Sequence, residues 1–169
     1  MIPQQRWATG GSPAPRRMSP LTLTLCLLAR AGVGGVLIYS GASKALAPSA
    51  EFAAALAAYR ILPTGLIPTI AQVWPWLELL VGTYVFFGYF TRVFAGVSAG
   101  MFAVFLAVLG SAALRGINPG ACGCFGLGMS MSPHKMLAID TVLWTLSLLL
   151  AILNKKPTPY SADSWIESK

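Results

Sequence analysis

Charged side chains are scarce in this sequence, making up only 10% of its 169 residues. A soluble domain of ordinary composition carries roughly 25%, and a surface so poor in charge would not stay dispersed in water. Cysteine and histidine are also rare, with three and one respectively. The cysteine count is too low for a disulfide scaffold, and the single histidine argues against a closed structural zinc site within this chain. The sequence therefore argues against an ordinary soluble enzyme and predicts no metal site.

What the chain has instead is apolar residues, 56% of the total, arranged in long blocks between short polar gaps. A helix of about 20 apolar residues crosses the hydrocarbon core of a bilayer. Such blocks occupy residues of about 21–45, 68–90, 93–114 and 133–153. We therefore predict an all-α integral membrane protein, a four-helix bundle formed by residues 19–156. Residues 1–18 and 157–169 are rich in polar residues or proline and are predicted to be disordered cytoplasmic tails.

The segment between the first two spans, Pro48 to Pro63, has a helical pattern of its own. Phe52, Leu56 and Tyr59 recur at roughly helical spacing among alanines. This pattern predicts a short helix that lies along the membrane surface between spans 1 and 2, or one tucked into the loop.

Small residues inside the spans predict close contacts between helices. Gly96 and Gly100 form a small-xxx-small pair in the third span. In the first span, Gly32, Gly34 and Gly35 leave one part of the helix without bulky side chains. In lipid, small residues allow helix backbones to approach one another where no hydrophobic effect drives association.

The net charge of +7 is distributed in a way that favours membrane orientation over nucleic-acid binding. Lys and Arg occur singly or in pairs beside the apolar blocks. With the N-terminus inside, seven of them fall in inner segments and four in outer segments. The positive-inside rule then predicts a multi-pass protein of the bacterial inner membrane with both termini in the cytoplasm. Residues 115–132 face outward in this arrangement, and Trp74 and Trp76 lie near the outer interface.

The outward loop contains the most chemically suggestive pair of residues, Cys122 and Cys124. Two thiols separated by one glycine can close a small, strained disulfide ring, and such disulfides exchange readily. The alternatives are a static disulfide and two ligands of a metal site. Cys26 should lie on the order of 25 Å away, near the other end of the first span. His134, ten residues after Cys124, could transfer a proton during exchange or be an ordinary surface residue.

Three ionisable residues fall within predicted spans: Arg30, Glu78 and Asp140. Each costs about 2.5–3.5 kcal/mol if it faces lipid, so all three should face the bundle and find partners. They could line a polar pocket for a quinone head group or relay protons released by thiol oxidation. The alternative for Glu78 and Asp140 is a structural ion pair with Arg30, Lys44 or Arg60 that only fixes the helix register.

Several of these stretches resemble a known group of membrane proteins. The run from Arg30 to Lys44 resembles the first helix of the DoxX-like proteins. Tyr59-Arg60-Ile-Leu-Pro63, Trp76-Leu-Glu78 and Cys122-Gly-Cys-Phe-Gly126 together resemble the methylamine-utilisation MauE branch of that group. The resemblance extends over roughly residues 24–153.

The resemblance implies a four-helix membrane protein that takes part in extracytoplasmic redox chemistry. The MauE branch is associated with maturation of the disulfide-rich small subunit of methylamine dehydrogenase, alongside a thioredoxin-like partner. By position, Cys122 and Cys124 would be the redox pair. The polar positions of the family would be Arg30, Lys44, Arg60 and Glu78.

Three functions are consistent with these residues. The first is thiol–disulfide exchange with a thioredoxin-like or dehydrogenase partner, by an enzyme that uses a membrane quinone and has no covalent cofactor. The second is a non-catalytic membrane subunit that anchors or assembles a redox complex. The third, transport of a small solute, depends on Glu78 and Asp140 alone. In each case the chain contacts membrane lipid, and no nucleic acid is expected as a partner.

Overall fold

A computed structural model of the chain describes residues 20–116 and 133–153, and within those ranges the regular secondary structure is all helical. The helices are α1 (Pro20–Leu46), α2 (Ser49–Ala58), α3 (Ile67–Phe87), α4 (Thr91–Leu114) and α5 (Pro133–Leu153). Four of them, all except α2, are long and apolar enough to cross a membrane. The predicted all-α architecture with four spans is confirmed. The two predicted tails lie outside the described residues.

The ends of the helices follow local backbone chemistry. α3 stops at Phe87, three residues before the predicted end of the span, because Gly88 adopts a left-handed conformation with φ of 73°. Its N–H donates to the carbonyl of Tyr84 at 2.9 Å, which is the usual way to close a helix C-terminus. At the other end, α3 begins at Ile67 and continues through the buried Pro75.

The bundle is built from two tightly packed helix pairs, α1 with α3 and α4 with α5. α5 also contacts α1, and the short α2 lies against α3. The buried core is assembled from both pairs. It includes Val33, Leu37, Val81, Val85, Ala95, Phe102, Leu143 and Leu150. Order along the chain does not by itself decide which helices pack together, since α3 makes far more contact with α1 than with the successive helix α4.

Three glycines allow the backbones of α1 and α3 to come together. A Cβ atom added to Gly34 would lie 2.8 Å from the backbone nitrogen of Phe86, and one added to Gly41 would lie 2.7 Å from the carbonyl oxygen of Pro75. From the opposite helix, Gly82 meets α1 equally closely. Since lipid offers no hydrophobic driving force between helices, this close van der Waals packing stabilises the pair. The prediction based on Gly34 is confirmed.

The other predicted small-residue contacts are not used within the described part of the chain. A Cβ atom on Gly96 or Gly100 would have no described neighbour within 4 Å, and the same holds for Gly32 and Gly35. The prediction that Gly96 and Gly100 pack a neighbouring helix of this bundle is therefore wrong for residues 20–116 and 133–153. Both glycines lie on the exposed side of α4, because the rotation of α4 turns its buried face elsewhere.

Two glycine-to-alanine changes on α1 should have opposite effects on stability. Gly34→Ala places a methyl group against the backbone of α3 and should lower the midpoint temperature of unfolding. Gly32→Ala meets no described atom and should be neutral or stabilising, since alanine favours a helix over glycine by about 1 kcal/mol. Thermal unfolding of both variants in the same detergent measures the difference. Equal midpoints would contradict the close contact.

Candidate functional site

A buried ion pair joins α1 to α3. Lys44, in the last turn of α1, places its Nζ 2.7 Å from Oε1 and 2.8 Å from Oε2 of Glu78, and neither side chain is exposed. Ser40 Oγ accepts a hydrogen bond from Lys44 at 2.7 Å and donates one to Glu78 Oε2 at 3.1 Å. The indole Nε1 of Trp74 donates to Glu78 Oε1 at 3.0 Å. Of the partners considered from sequence, Glu78 therefore uses Lys44.

The four residues meet because each helix presents two of them on one face. Ser40 precedes Lys44 by four residues, and Trp74 precedes Glu78 by four, which stacks their side chains one turn apart. Ser40 was not predicted as a site residue from the sequence, and Trp74 was predicted only to lie near the outer interface. Both residues could have been predicted, because each lies four residues before a charged residue that needs a buried partner.

Two aromatic rings lie close to the ammonium group of Lys44. Lys44 Nζ lies 5.2 Å from the ring centroid of Phe52 on α2 and 5.3 Å from that of Phe105 on α4. Both distances are within the range for cation–π attraction. Phe52 is itself buried, so α2 covers the ion pair. The predicted short helix is thus confirmed as α2, and it covers this polar cluster through Phe52.

The polar side chains of this cluster form hydrogen bonds with one another. Both oxygens of Glu78 accept hydrogen bonds, and Lys44 contacts Ser40 and both carboxylate oxygens. A buried ion pair is stable only with good geometry and such additional hydrogen bonds, because removing two charges from water costs several kcal/mol per ion. The arrangement fixes the register of α1 on α3. It also holds an indole N–H and an ammonium group in place beneath α2.

Arg30 lies at the opposite end of α1, 14 residues before Lys44 and therefore about 20 Å away along the helix. Its Nε donates to the carbonyl of Val85 and its Nη2 to that of Phe86, each at 3.3 Å. These carbonyls belong to the last turn of α3, where no further helical N–H is available. A cation at this point also interacts favourably with the helix dipole. Arg30 therefore stabilises the C-terminus of α3, remote from the Lys44–Glu78 pair.

Arg60 follows α2 and is exposed. Its own φ is 51°, and its carbonyl oxygen accepts a hydrogen bond from Arg115 Nη1 at 3.4 Å. Asp140 is 1% exposed on α5, one turn after Met136, which packs in a buried cluster with Tyr59. Both residues are therefore at the end of the bundle that carries α2.

The remaining predicted site residues fall outside what the structure describes. Cys122 and Cys124 belong to the segment 117–132, and only the backbone of His134 is described. Cys26 is partly buried and packs against the main core cluster. Within residues 20–116 and 133–153, no three His, Cys, Asp or Glu side chains are grouped in a way that could hold a metal ion.

Comparison with known proteins adds one finding. The family described as methylamine utilisation protein MauE has a sequence model that matches residues 22–153. The matched range includes all but the first two residues of the four long helices. It also includes the Lys44–Glu78 cluster and both cysteines of the Cys122-Gly-Cys124 element. No curated protein and no solved structure matches the chain significantly. Since the match extends over well more than half of the sequence, the chain belongs to the methylamine utilisation protein MauE family.

Proposed function

We propose that the protein serves methylamine utilisation from the bacterial inner membrane, by thiol–disulfide exchange between Cys122–Cys124 and an extracytoplasmic partner protein. The observation that carries the proposal is the family match over residues 22–153, which includes this closely spaced cysteine pair. The fold supports it through the two ends of the segment that contains the pair.

Both described ends of that segment adjoin the turn that follows α2. Arg115, at the end of α4, donates to the carbonyl of Arg60. Met136, near the start of α5, packs in one buried cluster with Tyr59. The chain therefore leaves and re-enters the bundle on the side where α2 covers the ion pair. The distribution of Lys and Arg favours this side as the outer one, where thiols are normally oxidised.

The exchange step balances within the two proteins. A thiolate of the partner attacks the Cys122–Cys124 disulfide and forms a mixed disulfide, which releases one of the two thiols. The second thiolate of the partner attacks that mixed bond and frees the other. The partner gains a disulfide and loses two electrons and two protons, and the pair becomes a dithiol. Small strained disulfides are the more oxidising ones, so this direction is the favoured one.

The partner is an extracytoplasmic protein with a cysteine pair, either thioredoxin-like or a subunit of a dehydrogenase that acquires disulfides. Such a partner is what the resemblance to the MauE family implies.

Trapping of thiols in spheroplasts tests the proposal. Cells are treated with a membrane-impermeant maleimide while the partner is either absent or supplied in its reduced form. Labelling of Cys122 and Cys124 from outside should rise when the reduced partner is present, because exchange converts the pair to thiols. Cys26 should become labelled only after the membrane is dissolved.

Two results would overturn the proposal. Labelling of the pair only from the cytoplasmic side would place it in a reducing compartment. A redox state that is unchanged by the reduced partner would show that the pair does not exchange with it.

A further inference from the structure

A cavity of about 170 Å³ lies between α2, α3 and α4. Its walls are almost wholly apolar, and four of its lining side chains are aromatic. These are Phe52, Tyr59, Trp74 and Phe105. An apolar cavity of this kind stays dry and accepts apolar ligands, and a cavity of about 150 Å³ is enough for benzene. The size and lining therefore suit a single six-membered ring.

The cavity adjoins the buried polar cluster. Phe52 and Phe105, which line it, also lie over the ammonium of Lys44. Trp74, in the same wall, donates its indole N–H to Glu78. A ring held here is therefore one side chain away from a cation and next to an indole, while its faces meet aromatic walls. Aromatic rings pair favourably in offset or edge-to-face geometry.

The cavity also reaches the surface that faces lipid. Two of its lining residues, Ile61 and Val104, are 42% and 49% exposed. A molecule dissolved in the bilayer could enter between them without crossing water. A saturated acyl chain gains little from leaving the bilayer for such a cavity, because lipid is already as apolar as these walls. A planar conjugated ring gains contacts with the aromatic walls that lipid cannot supply.

We infer that this cavity binds the ring of a membrane-dissolved quinone. The inference rests on the proposed function, because a thiol pair that oxidises a partner needs an acceptor for two electrons to act again. Oxidation of the Cys122–Cys124 dithiol to the disulfide releases two electrons and two protons, and the quinone takes up both to become a quinol. The cavity lies at the end of the bundle where the segment that carries the pair is anchored.

The test measures binding of a quinone by full-length protein in quinone-free lipid nanodiscs. The probe is a benzoquinone with a ten-carbon chain, and the readout is quenching of tryptophan fluorescence. All variants carry Cys122→Ser and Cys124→Ser, so that binding is measured without thiol chemistry. Ala55→Phe on α2 fills the cavity, whereas Ala54→Phe places the same ring on the exposed side of the same helix.

We expect saturable quenching that Ala55→Phe weakens by about tenfold or more, a change of about 1.4 kcal/mol or more, and that Ala54→Phe leaves unchanged. If Ala55→Phe does not fold, Val108→Phe from α4 fills the same cavity and Ala107→Phe is its exposed control. Equal affinity in filled and control variants, absence of saturation, or equal competition by a saturated ten-carbon alcohol would each overturn the inference. Binding as expected, combined with a cysteine pair that does not change its redox state, would instead refute the proposed function alone.

Discussion

Replacement of Lys44 by methionine is expected to lower the free energy of unfolding by about 3–5 kcal/mol, because Glu78 would then remain buried without its counter-ion. The loss should be large even though methionine has a similar length and apolar character. Two hydrogen bonds to the carboxylate, from Ser40 and Trp74, would remain, but neither brings a positive charge. Reversible unfolding in bicelles, compared between the wild type and Lys44→Met, measures the effect.

Two controls separate the charge from the packing. In the double variant Lys44→Met/Glu78→Leu, most of the lost stability should return, since an apolar replacement of a whole buried ion pair is often neutral or stabilising. Lys135→Met removes an exposed lysine from α5 and should change stability by at most about 0.5 kcal/mol. If Lys44→Met costs no more than Lys135→Met, the buried ion pair is not a determinant of stability.

The second large effect concerns function. The double variant Cys122→Ser/Cys124→Ser should reduce maturation of the partner by at least about tenfold, because a serine hydroxyl cannot replace a thiolate in disulfide exchange. The amount of protein in the membrane should not change. Maturation is measured as the disulfide content and activity of the partner recovered from cells that carry each variant.

Cys26→Ala is the matched control, since Cys26 packs in the core far from the predicted position of the pair. It should leave maturation unchanged. The alternative function, a non-catalytic anchor or assembly subunit, predicts the opposite result for the double variant. Full maturation without Cys122 and Cys124, at normal protein levels, would favour that alternative over exchange.

The spans were predictable because a transmembrane helix is recognised mainly by the hydropathy of about 20 consecutive residues. Their ends were less so, since each depends on one local feature. The span predicted to reach residue 90 ends at Phe87, because Gly88 turns into the left-handed region and closes the helix. The short helix before Tyr59 was predictable from its spacing, although the span of Ser49–Ala58 is shorter than the segment 48–63.

Within the candidate site, the charged residues that must be buried could be predicted from the sequence, but their arrangement could not. Glu78 was singled out because a charge within a span needs a partner, and Lys44 was one of the three partners considered for it. That they meet each other depends on α1 packing against α3, and the pairing of helices is set by tertiary contacts rather than by spacing along the chain. Arg30 shows this, since it was considered as a partner of Glu78 but in the structure donates to the C-terminus of α3. Gly34 and Gly96 have similar small neighbours, and only the rotation of each helix decides which one is buried.

The contacts that α1 makes with α3 impose an order on biogenesis. Lys44 lies 34 residues before Glu78, and Arg30 lies 55 residues before Val85. A ribosome therefore delivers the two cations of the first helix well ahead of the acceptors that they contact in the finished bundle. Each cation exposed to hydrocarbon in that interval would cost about 2.5–3.5 kcal/mol. We therefore expect α1 to remain beside the insertion machinery, with its charges hydrated, until α3 has been synthesised. The two helices can then enter lipid as a pair.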